Sequence, residues 1–275
     1  MARQRTSADS LGLQVLAAAP DGAASPVAAV RSTIGRQAAE HVAQLGAART
    51  TSTATATATA TASAAPTAST PDALVARLIA TAAIARTDAA GVPNGPLARL
   101  LGSVSTERLL QARQLAAAAG LPAPGLPAVT VPRSVPDGLE PSALSSLVAD
   151  EDEAGYADEV IAAKLAAPAR SSALARAGVH RDRAEQWAKI AQIGQTGLDP
   201  RRTAYALAPL DDPAVATAFA ATIEGSLAAT YATLVAAAAP GARLVLLDAL
   251  TDAAATATLW GAAVPAFPGL PERAR

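Results

Sequence analysis

The stretch that decides the fold of this chain is residues 148–165, which read VADEDEAGYADEVIAAKL. Apolar residues recur here and just upstream at steps of three and four, the spacing of one face of an α-helix. The resulting stripe contains Leu144, Leu147, Val148, Glu151, Gly155, Asp158, Ala162 and Leu165. Two of these residues are acidic. Because a buried carboxylate is costly unless it is paired or binds a cation, this helix predicts a polar cluster inside a helical core.

The composition of the whole chain also predicts helices. Its 275 residues are 51% hydrophobic and 3% aromatic, on a background of alanine and leucine, which are strong helix formers. The absence of cysteine excludes disulfides and thiol chemistry. The net charge of -1, with scattered basic residues, argues against a nucleic-acid partner. No stretch reaches the roughly 20 apolar residues that cross a bilayer, so no transmembrane segment is expected.

Eight helices are predicted from apolar periodicity and from capping residues that precede a proline at the first helical position. Such starts occur at Ser25-Pro26, Thr70-Pro71 and Asp212-Pro213, with a weaker version at Glu140-Pro141. The predicted helices span about 5–19, 26–46, 72–90, 96–118, 141–167, 169–195, 213–238 and 241–263.

Two breaks organise these helices. Residues 50–71 alternate threonine and alanine and are interpreted as a low-complexity linker, and residues 121–139 form a proline-rich connector. The expected fold is therefore all-α, with two tandem up-down four-helix bundles at 1–120 and 140–275. Residues 1–137 carry a charge of +4 and residues 138–275 a charge of -5, so the two halves are expected to contact each other.

Three polar residues on the apolar faces of successive helices form a candidate metal site: Glu151, His180 and Glu224. A di-iron bundle needs a Glu-x-x-His pair on each of two helices. Here Ala177 stands three residues before His180, and Ala38 stands three before His41. The ligand count therefore argues against a di-iron centre and leaves a single divalent metal ion as the alternative to having no cofactor.

The structural interpretation of the same residues is a salt-bridge or hydrogen-bond network. Arg176, Arg181 and Arg183 lie on the predicted sixth helix with His180 and are available as partners. His41 lies on the apolar stripe of the second helix and is interpreted as a neutral core histidine with a hydrogen-bond partner. Glu151 is expected to be buried and to have a partner under either interpretation.

Several stretches of the second half are similar to a known family. They are VADEDEAGYADEVIAAKL (148–165), VHRDRAEQW (179–187), YALAPLDDPAVA (205–216), IEGSLAATYATLV (223–235), LDALTDAAATATLWG (247–261) and FPGLPE (267–272). Together they resemble a ferritin-like domain of unknown function found in actinobacterial proteins, many of them predicted lipoproteins. The resemblance covers about residues 140–275 and implies that the second bundle is ferritin-like and has no established activity. Asp152 stands where members of that family often carry a histidine, which argues against a metal site.

The functional expectation is a non-catalytic helical-bundle protein with a structural or binding role. The alternative is a metal-binding or metal-dependent oxidoreductase bundle with a degenerate site. The sequence is compatible both with an unidentified protein partner and with a homodimer. The resemblance implies an extracytoplasmic or envelope-associated location, with the cytoplasm as the alternative.

Overall fold

The computed structural model describes residues 1–18, 25–46 and 69–273, and these ranges contain helices and no strand. The helices are α1 (Ala2–Ala17), α2 (Pro26–Leu45), α3 (Pro71–Gly91), α4 (Gly95–Ala118), α5 (Pro141–Lys164), α6 (Ala169–Ile190), α7 (Pro213–Ala237) and α8 (Leu244–Leu259), followed by a short 3-10 helix, Pro271–Arg273. The all-α prediction is confirmed, and each helix begins within three residues of its predicted start. Most of the predicted linker, up to residue 68, lies outside the described residues.

Three helices begin with a side-chain cap. Ser25 accepts a hydrogen bond from the Ala28 backbone at 3.1 Å, and Asn94 and Asp212 cap α4 and α7 in the same way. Thr70 and Glu140 also precede prolines, but their side chains make no capping hydrogen bond. The proline alone therefore marks the start of α3 and of α5, because its fixed φ suits the first helical position.

Arginines satisfy the carboxyl ends of several helices. The last carbonyl groups of a helix have no partner within the helix, and the end is partly negative. The guanidinium of Arg243 donates to the carbonyl of Ala238 after α7 and to that of Val92 after α3. Arg31 binds the end of α1, and Arg170 binds the end of α5. Arg243 therefore joins the start of α8 to the end of α3, 151 residues earlier in the sequence.

Consecutive helices pack in pairs, α1 with α2, α3 with α4, α5 with α6, and α7 with α8. The first two pairs meet through α1–α3 and α2–α4 contacts, and the last two through α5–α7 contacts. The two halves are joined where α4 packs on α7 and α8. One apolar core runs through this junction and includes Leu101 and Val104 of α4 with Leu247 and Leu250 of α8. The halves contact each other as expected, although apolar packing supplies much of that contact.

The carboxyl-terminal tail, residues 262–273, crosses from the second half onto the first. Four side chains of the first half donate hydrogen bonds to its carbonyl groups: Gln37 to Val264, His41 to Ala266, Ser103 to Pro268 and Arg99 to Gly269. Two ion pairs also cross between the halves, Arg86 with Asp248 at 2.6 Å and Arg99 with Glu272 at 2.8 Å. Each ion pair joins a cation of the positively charged half to a carboxylate of the negatively charged half, as the net charges of the two halves predict.

His41 is a core histidine, as the sequence predicts. It is 1% exposed, and its Nε2 donates to the Ala266 carbonyl at 2.7 Å. Burial, with the nearby charge of Arg108, lowers its pKa to about 3, so the ring is neutral at physiological pH.

Within the described ranges, α7 is long and apolar enough to cross a membrane by length and composition. The sequence predicts no transmembrane stretch. Core helices of soluble proteins pass the same test, and α7 packs against α4, α5 and α8. The helix also holds the buried, ion-paired Glu224, so its position in this fold is that of a core helix.

Candidate functional site: a buried ionic cluster

The side chains of Glu151, Asp158, His180 and Glu224 meet in the centre of the second half. They come from α5, α6 and α7, and each is at most 2% exposed. Glu151 and Asp158 lie two turns apart on the buried face of α5, as the apolar stripe predicts. We call these four residues, together with Arg176, Arg183, Tyr231 and Asp252, the ionic cluster.

His180 lies between two glutamates. Its Nδ1 is 2.6 Å from Oε2 of Glu151, and its Nε2 is 3.3 Å from Oε1 of Glu224. The other oxygen of Glu151, Oε1, accepts a hydrogen bond from the Tyr231 hydroxyl. Because both ring nitrogens face carboxylates, the arrangement fits an imidazolium that donates from both sides.

Two arginines complete the cluster. Arg176 donates to both oxygens of Glu224, in the planar two-bond geometry that guanidinium and carboxylate groups share. Its Nη1 reaches Asp252 of α8 at 2.8 Å, and Arg183 reaches the same Asp252 oxygen at 2.8 Å. Arg176 therefore links α6 to both α7 and α8.

These contacts shift the pKa values of the central groups. Burial alone would lower the pKa of His180, but the hydrogen bonds to Glu151 and Glu224 outweigh it and raise the pKa to about 9. Burial alone would raise the pKa of Glu224, but its hydrogen bond with His180 and the charge of Arg176 hold that pKa below its usual value. His180 is therefore charged and Glu224 ionised at neutral pH.

Asp158 differs from the other carboxyl groups of the cluster. Its Oδ2 is buried without a hydrogen-bond partner and lies 3.7 Å from Nε2 of His180. Burial raises its pKa to about 7, against the attraction of the His180 charge. Glu151, Glu224 and Asp252, in contrast, each accept a hydrogen bond from His180 or Arg176.

Three residues of the cluster are possible metal ligands: Asp158, His180 and Glu224. Their ligand atoms all lie within 4.8 Å of one another. Nitrogen and oxygen donors of this kind suit a divalent transition metal. A metal needs a neutral imidazole, however, and it needs a free carboxylate oxygen. Here His180 is charged, and Arg176 engages both oxygens of Glu224. A metal ion at this place would therefore have to displace the Nε2 proton of His180 and compete with Arg176 for Glu224.

All three residues of the sequence-based candidate, Glu151, His180 and Glu224, meet around one imidazole ring. Glu151 lies on the Nδ1 side of the ring, whereas Asp158 lies on the Nε2 side with Glu224. Asp158 lies on the same predicted stripe of α5 as Glu151, although the predicted ligand set does not contain it. Its seven-residue spacing from Glu151, two helical turns, was the available signal.

The cluster includes two further residues whose roles the sequence did not reveal. Tyr231 lies seven residues after Glu224, so the two share a face of α7. Asp252 is surrounded by alanines on α8, and its direction becomes clear only from the arginines that it binds.

Asp152 and Arg181 lie outside the ionic cluster and bind each other. Asp152 pairs with Arg181 at 2.5 Å and accepts hydrogen bonds from the Tyr205 hydroxyl and the Arg202 backbone. It therefore anchors the long loop between α6 and α7. Arg181 also reaches Glu159 on the surface, so it does not join the ionic cluster.

Comparison with known proteins gives one match. Residues 143–272, somewhat less than half of the chain, match the sequence model of a domain of unknown function, DUF4439. Neither the curated proteins nor the solved structures contain a match. The matched range begins in the first turn of α5 and ends in the tail, so it contains the complete ionic cluster. Residues 143–272 of this chain are therefore similar to DUF4439, a domain of unknown function.

Proposed function

We propose that this chain is a non-catalytic helical-bundle protein with a structural or binding role, in which the ionic cluster fixes how α5 to α8 pack. The observation that carries the proposal is the engagement of both Glu224 oxygens by Arg176, while His180 is held between two glutamates. A network of this kind pairs most of its buried charged groups with one another and favours one arrangement of the helices.

The accessibility of the cluster supports a non-catalytic role. Four of the cavities among the described residues have volumes of about 250 to 530 Å³. None of the four is lined by Glu151, Asp158, His180 or Glu224. A catalytic acid or base must come within hydrogen-bond reach of its substrate, and these cavities give a substrate no such access.

A metal-binding function is the second candidate, and one observation favours it. The Oδ2 atom of Asp158 is buried without a partner and lies on the Nε2 side of His180. An unsatisfied buried acceptor is costly, and a cation bound there would satisfy it. This candidate requires that Arg176 release Glu224 and that His180 lose its proton.

Metal analysis and unfolding of the purified full chain, with and without chelator, separate the two candidates. If the cluster is a metal-free network, the protein contains no stoichiometric metal and chelator leaves its melting temperature unchanged. Glu224→Gln should then destabilise the fold by about 3 kcal/mol, since it leaves Arg176 and His180 poorly paired. Asp158→Asn, the matched variant, should be close to neutral at pH 7.

The opposite results would support the metal-binding candidate. Stoichiometric metal, loss of stability in chelator, and loss of the metal from Asp158→Asn would together reject the metal-free network.

The proposal includes a ferritin-like arrangement of α5 to α8 and a location outside the cytoplasmic membrane. Both are supported by the resemblance of residues 148–165 and 267–272 to the actinobacterial domain, and by a Thr/Ala/Pro segment typical of exported chains. Fractionation of cells that express the natural full-length protein tests the location. Recovery in the cytoplasmic fraction would contradict it.

A further inference from the structure

A cavity of about 400 Å³ lies between α2 and the carboxyl-terminal tail. Its α2 wall contains Arg36, Glu40 and Gln44, and the opposite wall is formed by residues 264–267 of the tail together with Arg273. The volume is within the range of small-molecule sites in proteins, about 300 to 1,000 Å³. The cavity is therefore large enough to hold a ligand, and the groups that line it indicate which kind.

The tail wall of this cavity is fixed by buried contacts with α2. Gln37 and His41, both buried, donate hydrogen bonds to the carbonyl groups of Val264 and Ala266. The ring of Phe267 packs against the His41 ring in an edge-on arrangement, with 5.1 Å between the ring centroids. Because these contacts hold the tail in place, the cavity is a preformed feature of the fold, as ligand sites usually are.

Arg273 is a cation of the cavity whose hydrogen bonds are incomplete. Its guanidinium lies over the ring of Phe267, 5.9 Å from the centroid, and its Nη1 donates to Oε1 of Gln44. Its Nε is buried and has no hydrogen-bond partner. In the ionic cluster, the Nε and Nη2 groups of Arg176 bind the two oxygens of Glu224 side by side. The corresponding edge of Arg273 has the geometry to bind a carboxylate in the same way.

The charge and the walls of the cavity narrow the ligand further. Two arginines and one glutamate line the cavity, which gives a net charge of +1. Arg36 pairs with Glu40 at 2.9 Å, so Arg273 is the lining cation that a ligand would neutralise. Apolar side chains of residues 264–267, with Ala43, form the remaining walls. An anion with one charge and an apolar body matches these walls better than inorganic phosphate, which carries more charge and has no apolar part.

We propose that this cavity binds a small monocarboxylate, with the carboxylate on the free edge of Arg273 and the apolar body against the tail. The ligand would satisfy the buried Nε of Arg273, which otherwise lacks an acceptor. It would also bridge α2 of the first half and the tail of the second. No residue of the ionic cluster lines the cavity, so the proposal stands whether or not that cluster binds metal.

Calorimetric titration of the full chain with benzoate and with hexanoate at pH 7 tests the proposal. We expect one site per chain, with a dissociation constant of about 1 mM or lower for at least one of them. Benzamide has the shape of benzoate without its charge and should bind at least ~10-fold more weakly. Absence of saturable binding by both carboxylates, equal binding of benzoate and benzamide, or tighter binding of inorganic phosphate would each overturn the proposal.

Two pairs of variants locate the site. Arg273→Met should weaken carboxylate binding at least ~10-fold, whereas Arg3→Met, at an exposed arginine of α1 that does not line the cavity, should not. Ala43→Trp should block binding by filling the cavity, whereas Ala29→Trp, at an exposed alanine elsewhere on α2, should not. The tryptophan variants keep every charge, so they test the location even if Arg273→Met disturbs the tail. Unchanged binding by Ala43→Trp would place the carboxylate elsewhere and overturn the proposal.

Discussion

His180 has two hydrogen-bond partners of the same charge in a site without solvent access. A neutral imidazole could donate to one of them and would then turn a lone pair towards the other. The charged ring donates to both Glu151 and Glu224, which is why the fold raises the pKa of His180 to about 9. The proton on this ring is therefore part of the structure of the cluster.

This proton predicts how stability depends on pH. The pKa of His180 is about 9 in the folded protein and 6.5 as its ordinary value, so its stabilisation is fully present below pH 6.5 and is lost as the pH rises through 9. The difference corresponds to about 3 kcal/mol. Burial also raises the pKa of Asp158 to about 7. It likewise raises the pKa of Glu107, a buried residue of α4 that lies 3.9 Å from Nε2 of His41, to about 8, and both shifts act in the same direction. The free energy of unfolding in urea should therefore fall between pH 6.5 and 9.

His180→Gln isolates the histidine from the two acids. This variant should be less stable than the wild type at pH 6.5, and the difference between them should shrink as the pH approaches 9. A difference that stays constant from pH 6.5 to 9 would show that His180 does not titrate in this range.

At the scale of the helix, the stability of this chain depends on polar side chains that bind the ends of its alanine-rich helices. Alanine has the highest helix propensity, but its side chain buries little area and caps nothing. Arg243 is 1% exposed and binds carbonyl groups after α3 and after α7. One side chain therefore closes the carboxyl ends of two helices that belong to different halves.

Arg243→Met keeps much of the length of the side chain and removes its donors. We expect a loss of about 3 kcal/mol in unfolding free energy, because several buried carbonyl groups lose their partner. Arg36→Met is the matched control. Arg36 is exposed and pairs with Glu40 one turn along α2, so its loss should cost less than about 0.5 kcal/mol. Equal losses in thermal or urea unfolding would rule out a capping role for Arg243.

At the scale of the whole molecule, the two halves meet through close backbone contact as well as through side chains. Gly95 begins α4 against the carboxyl end of α7, and a Cβ at this position would collide with the carbonyl of Ala236. Gly91, at the end of α3, has open space at the same position. The first half therefore approaches α7 at a point where a side chain cannot fit.

Gly95→Ala should destabilise the protein by about 2 kcal/mol or more, because α4 must move away from α7 and disturb the shared core. Gly91→Ala should be neutral or stabilising by up to about 1 kcal/mol, since alanine is the better helix former. Differential scanning calorimetry compares the two variants. If Gly95→Ala unfolds like Gly91→Ala, the close approach of α4 to α7 does not contribute to stability.

The ends of the helices and their buried faces were largely determined by the sequence alone. Prolines after Ser25, Thr70, Glu140 and Asp212 mark four helix starts that the structure reproduces. These features depend on residues within one or two turns of each other, so local geometry decides them. The same reasoning placed Glu151 on a buried face, and it is 0% exposed.

What only the tertiary structure decided is which polar groups meet across helices. The sequence offered Arg176, Arg181 and Arg183 as equal partners for the carboxylates, but Arg181 turns outwards to Asp152 and Glu159. Asp158, rather than Glu151, lies on the same side of the imidazole as Glu224. Successive residues of a helix differ by about 100° in direction, so a small rotation or shift of one helix against its neighbour exchanges these partners. That register is set jointly by the packing of all the helices around the cluster, and no single stretch of sequence contains it.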